Sequence, residues 1–183
     1  MRLPSVLDAT DLPLAEGCAV RLDGDGFVLG DGIIAADEPD GPTQRAASVA
    51  VDARRYGFVL GGWTAAWVHG ATDRLRRPLD LQTDSDGGPR TKLLPVRQVA
   101  LGARDVCELA GVRVTSPLRT ALDLARLEIR LTDESRSAIA SLVRSSGLTW
   151  PQAVAALAAA PTAPGKRRAL ARVRAFRDGA VPG

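Results

Sequence analysis

The sequence predicts an α+β protein: a small mixed β-sheet over residues 57–115, a helical C-terminal half, and a short helix and hairpin in front. Short apolar runs separated by Gly- and Asp-rich turns cluster between residues 57 and 115. After residue 116, apolar residues instead repeat at helical spacing. With 183 residues, 45% of them hydrophobic, the chain can bury one good core, or one domain with a small appendage.

Taken in order, Asp11 or a neighbour starts a short helix in which Ala15, Cys18, Ala19 and Leu22 fall at i, i+3, i+4 and i+7. Phe27–Leu29 and Ile33–Ala35 flank Gly30-Asp31-Gly32, a hairpin signal. A helix followed by a hairpin is the second half of a winged helix-turn-helix, here with only about ten residues before it. Residues 1–36 therefore read as a truncated winged helix, 37–43 as a Pro/Gly/acid linker, and 44–183 as the body. In the body, an Ala-rich helix spans roughly 43–55, and Gly57–Leu60 reads as a buried strand. Thr64 is placed to cap a helix over Ala65–His69 that closes at Gly70. Strands are predicted at Leu79–Thr83 and Val96–Leu101. Val106–Leu109 and Val112–Thr115 form a hairpin around Ala110-Gly111.

The segment Val114 to Arg126 is a strand that stops at a well-built helix. Ser116 can cap it, Pro117 suits the first helical position, and Leu118, Ala121, Leu122 and Ala125 share a face. Arg119 and Asp123 lie one turn apart, close enough to pair. Further helices are predicted at 117–128 and 133–146, and from Thr149 with Trp150, Val154 and Leu157 on one face. The last helix places Ala169, Val173 and Phe176 on one side and arginines around the rest.

The net charge of +3 conceals two poles. Residues 1–52 hold 3 Arg against 10 acids, and residues 53–183 hold 21 basic residues against 11 acids. Such poles favour oriented binding of a charged partner. Only 2 of the 24 basic residues are Lys, so the Arg content is partly codon usage, and charge alone argues less for nucleic acid. Arg167, Arg168, Arg172 and Arg174 of the last helix are the candidate contacts for nucleic acid or an acidic partner, against the reading of a solvated closing helix. No apolar run approaches the roughly 18 residues of a membrane span, and no signal-peptide core opens the chain, so a cytoplasmic protein is expected.

Sites of catalysis are hard to assemble. His69 is the single histidine, so any triad or His-Cys dyad depends on it. Its position predicts a helix C-cap whose cation the dipole favours; a partner contact and catalysis are the alternatives. Trp63 and Trp67, spaced i, i+4, can stack on each other or on the sheet as core anchors, or else form a ligand platform. Cys18 and Cys107 fit no metal or disulfide spacing. The acidic loop Asp84–Gly88 lacks the later ligands of a calcium loop. Gly61-Gly62 and Gly87-Gly88 lack the spacing and Lys of a phosphate loop. Lys92 and Lys166 complete no Asp…Glu-x-Lys pattern. No cofactor or metal is expected.

Three segments, in order, resemble the body of actinobacterial AbiEi-like antitoxins. Trp63-Thr64-Ala65-Ala66-Trp67-Val68-His69-Gly70 is similar to that family's Ser-Ala-Ala-x-x-His-Gly helix, and Leu79–Thr83 to its next strand. Ala110–Ala125 resembles the block Gly-Val-x-Val-Thr-Ser-Pro-x-Arg-Thr-x-x-Asp-Leu-Ala, matched here by Thr115, Ser116, Pro117, Arg119, Thr120 and Asp123. The likeness covers roughly residues 43–178. It implies a non-enzymatic protein that binds a nucleotidyltransferase-like toxin or the toxin's nucleic-acid substrate. Two alternatives accompany it: an operon autorepressor acting through the winged helix, and the remnant of a very-short-patch-repair-like nuclease without its catalytic domain. The first is weakened by the acidic front segment, where Arg21 is the one base between residues 3 and 44 and the one candidate DNA contact there.

Overall fold

The computed structural model describes residues 5–8, 11–84, 96–159 and 164–178. Loop residues 85–89, Lys92 and the side chain of Phe176 fall outside them. The expected α+β architecture is present, with a five-stranded mixed sheet, a separate hairpin and helices on either side.

Helix α1 (Leu14–Leu22) leads into strands β1 (Gly26–Leu29) and β2 (Gly32–Ala35), which pair as the predicted hairpin. The apolar stripe of α1 does not face inward. Ala15, Cys18, Ala19 and Leu22 are exposed, and Gly17 is the buried position, packed where a Cβ would come within 2.9 Å of Ile33. Leu29 and Ile34 of the hairpin join the main core, so the front segment and the body share one apolar interior.

The predicted helix over 43–55 is two helices, α2 (Pro42–Ser48) and α3 (Ala50–Tyr56), broken at Val49 with φ −122° and ψ 20°. Arg45 ties α2 to the chain on both sides of it: it forks onto Asp40 at 2.7 Å and donates to the Trp67 carbonyl at 2.9 Å. Strand β3 (Val59–Leu60) then enters helix α4 (Gly62–Val68). Thr64 lies inside α4 rather than at its cap, which is Gly61.

Strands β4 (Leu81–Asp84), β5 (Val96–Val99), β6 (Val106–Leu109) and β7 (Val112–Thr115) complete the sheet in the order β5-β4-β3-β7-β6. The β6–β7 turn uses positive φ at Ala110 (51°) and Gly111 (71°), the backbone that a two-residue hairpin needs. β3 runs parallel to β7 and antiparallel to β4. The register gives each face its character. One row is Val96–Leu81–Leu60–Val114–Cys107, all facing the core formed with α2 and α3. The next row, Arg97–Gln82–Val59–Arg113–Glu108, faces the other way.

Helices α5 (Pro117–Leu127), α6 (Asp133–Ser145), α7 (Trp150–Ala159) and α8 (Lys166–Asp178) form the C-terminal half around a second core containing Leu124, Ile139, Leu142, Leu157 and Val173. Helix α4 is wedged between the two cores. Trp63 and Ala66 face the helices, while Ala65, Trp67 and Val68 face the sheet. The two tryptophans therefore anchor different cores. No helix among the described residues is long and apolar enough to cross a membrane.

Candidate functional site

The motif residues converge where β7 ends and α5 begins. Ser116 Oγ accepts the Arg119 N–H at 3.4 Å, and Pro117 occupies the first helical position, as the sequence predicts. Capping fixes the helix start, and the helical repeat then turns Arg119, Asp123 and Arg126 inward together.

Asp123 is fully buried. Its Oδ2 accepts from Arg119 Nε at 3.1 Å and from Gln82 Nε2 at 3.3 Å. Its Oδ1 lies 3.2 Å from Arg126 Nη2, a charge contact whose geometry is not that of a hydrogen bond. Arg119 also reaches Asp105 at 2.7 Å and the Ala100 carbonyl at 3.1 Å. Two carboxylates thus face two guanidiniums across α5, the loop after β5 and the turn before β6. Burying such charges costs several kcal/mol each, and close pairing offsets that cost. Gln82 Oε1 and Arg126 Nε remain without a hydrogen-bond partner among the described residues.

Gly61 makes room for this arrangement, because a Cβ there would stand 2.3 Å from Gln82 Nε2. Beside it, Asp80 Oδ2 accepts the Trp63 N–H and Asp80 N donates to Thr64 Oγ1, each at 2.8 Å. The start of β4 is thereby fastened to the first turn of α4. The space over Gly61-Gly62, which a phosphate loop would keep open, is filled from within by the chain's own Asp80 and Gln82.

His69 is half-buried at the C-terminal end of α4. Its Nε2 is 2.7 Å from the Thr115 carbonyl, so that nitrogen carries the proton. The ring reaches across to β7 instead of bonding the carbonyls of its own helix. Burial lowers its pKa from the ordinary 6.5, against an opposing pull from the Thr115 bond. The ring is thus biased to the neutral form, contrary to the expectation of a dipole-favoured cation. Thr115 Oγ1 and Thr120 Oγ1 are 2.7 Å apart, and Thr120 Oγ1 also lies 2.9 Å from the Ser116 carbonyl. All three motif side chains are engaged at the same strand end.

Trp63 is 7% exposed, and its Nε1 donates to Glu128 at 2.7 Å. The Arg76 guanidinium stacks 3.5 Å from the ring centroid. That geometry closes both ring face and ring edge with protein groups. Trp67 is 3% exposed beneath Arg45.

The four arginines of α8 divide into two pairs. Arg168 donates to the Arg126 carbonyl at 2.6 Å. Arg172 donates to the carbonyls of Ala125, Glu128 and Ile129 at 2.9, 2.7 and 3.0 Å. These two satisfy the Ala125 and Arg126 carbonyls in the last turn of α5 and those of Glu128 and Ile129 just past it. Arg167 and Arg174, seven residues apart on another stripe, are exposed and without a hydrogen bond or ion pair among the described residues. Arg21 is exposed on α1, far in sequence from this surface.

Sequence reasoning missed Gln82, Asp80, Asp105 and the filling of Gly61-Gly62. Chemically, the cluster can orient and hold; its central carboxylate has no exposed surface to offer a reactant. Cys107 is half-buried, and burial raises its pKa, which keeps the thiol protonated. No group of three or more potential metal ligands occurs among the described residues. No protein-family model and no curated protein matches the chain.

Proposed function

We propose that the chain is an antitoxin-like, non-enzymatic protein that binds a nucleotidyltransferase-like toxin or that toxin's nucleic-acid substrate. One observation supports this most directly: the motif's polar side chains are spent on one another and on backbone inside the protein. Outward, the C-terminal half exposes more base than acid: Arg130, Arg136, Arg144, Arg167 and Arg174 against Asp133 and Glu134. The class of partner rests on the likeness of residues 43–178 to antitoxin bodies.

Affinity capture of the tagged chain from its own cells is expected to retrieve a nucleotidyltransferase-like protein. Arg167→Glu with Arg174→Glu should lower the yield. Retrieval of no such protein, from a genome with no toxin gene beside this one, overturns the reading. If the target is nucleic acid, removing these two cations should flatten the salt dependence of binding by roughly two phosphate contacts.

A second reading, an operon autorepressor, has α1 and its hairpin in its favour, since helix then wing is the order of a DNA-reading module. A gel shift with the chain's own promoter at low salt tests it, and no shift rejects it.

A further inference from the structure

The chain carries an apolar groove and an apolar knob with opposite electrostatic collars. The groove lies between α1 and β1. It is lined by Cys18, Arg21, Leu22, Gly26, Phe27 and Val28 and is an open depression of about 410 Å³. Leu14 and Leu22 are 85% and 86% exposed on the same helix stripe, and Val28 is 51% exposed. Asp23 and Asp25 are exposed in the turn that joins Leu22 to Gly26, two residues of the lining, and Arg21 is the one charged residue in the lining itself. Large apolar side chains left open beside a charged turn mark an interaction site.

The knob is the turn after α5. Ile129 is 87% exposed and Leu127 38%. Arg130 stands next to it. Arg168 and Arg172 are held against the same turn by bonds to the Arg126 and Ile129 carbonyls. Carbonyls fix these guanidiniums in place without neutralising them, and no carboxylate pairs with either among the described residues. The result is a rigidly placed positive collar around an exposed isoleucine.

We infer that Ile129 and its arginine collar seat in the α1–β1 groove of a second copy of this chain, head to tail. Apolar knob meets apolar groove, and the arginine collar meets Asp23 and Asp25 at the groove's end, on a segment whose charge is acidic overall. Because the two surfaces differ, the contact is heterologous: each copy keeps one groove and one knob free until a ring closes or a series grows.

Sedimentation velocity at tens of micromolar tests this on the full chain. The expected result is association beyond the monomer at low salt that weakens above about 0.5 M salt, where screening shortens to a few ångströms. Val28→Arg in the groove and Ile129→Asp on the knob should each weaken self-association by about tenfold or more. Both positions are exposed, and circular dichroism checks that each variant folds. Mixing the two variants should restore a one-to-one complex that grows no further, because one supplies the intact groove and the other the intact knob. Three outcomes overturn the inference: a wild type monomeric at both salts, a mixture that stays monomeric, or an Ile129→Asp variant that associates like the wild type. The last would mean that groove meets groove in a symmetric pair.

Discussion

Arg119 Nε donates to Asp123 Oδ2 at 3.1 Å between side chains 8% and 0% exposed, inside the first turns of α5. Surface pairs at this spacing contribute a few tenths of a kcal/mol. Here the same spacing is buried and extended to Gln82, Asp105 and Arg126, so removing one partner strands charges that water cannot reach. The motif that dominates the sequence is therefore a joint between the sheet and the helical half.

The arginines of α8 should separate by role. Arg172→Ala, which leaves three carbonyls in and just after the last turn of α5 without this donor, is expected to cost about 1–3 kcal/mol. Arg174→Ala and Arg167→Ala should stay within about 0.5 kcal/mol, as exposed substitutions do. Urea denaturation of the three variants checks this, and equal losses would contradict the division.

His69 gives a pH dependence with a definite sign. Burial holds its folded pKa below the ordinary 6.5, so as pH falls the unfolded chain takes up the proton first. The stability it contributes is present above about pH 6.5 and is lost as pH falls below that value. Because it is the single histidine, His69→Gln isolates the effect. Between about pH 7.5 and about pH 5.5, the wild type should lose more stability than the variant, and identical losses would refute the assignment.

How much of this was legible in sequence depended on range. Ser116, Pro117 and the Arg119–Asp123 pair were readable because a helix relates residues three and four apart by geometry alone. Gln82 was not, since it meets Asp123 from 41 positions away and only through a strand register the sequence does not display. Trp63 and Trp67 share helix spacing, yet the wedge position of α4 sends them to different cores. In α1 the apolar spacing was plain, but Gly17 brings the opposite face against Ile33 and leaves that stripe outside. Val49 breaks the 43–55 helix with neither Gly nor Pro to announce it.

Gly61 should resist enlargement. Gly61→Ala places a methyl against Gln82 Nε2 and must displace a buried side chain that supports Asp123. A loss of about 1–3 kcal/mol is expected by thermal or chemical denaturation. A neutral variant would mean that Gln82 moves freely.

Trp63 offers a spectroscopic check. Glu128→Ala removes the acceptor of its indole N–H and should cost about 1–2 kcal/mol. Its fluorescence should shift toward longer wavelength as water replaces the carboxylate. No change in stability or emission would show the bond to be dispensable.

The unfolding free energy of Asp123→Ala bears most directly on the claim that the motif is a buried joint. The variant takes from Arg126 its carboxylate and leaves Arg119 with Asp105 alone beside an emptied site, and a loss on the order of 3 kcal/mol is expected. A loss below about 0.5 kcal/mol would be the behaviour of an exposed pair and would contradict the account.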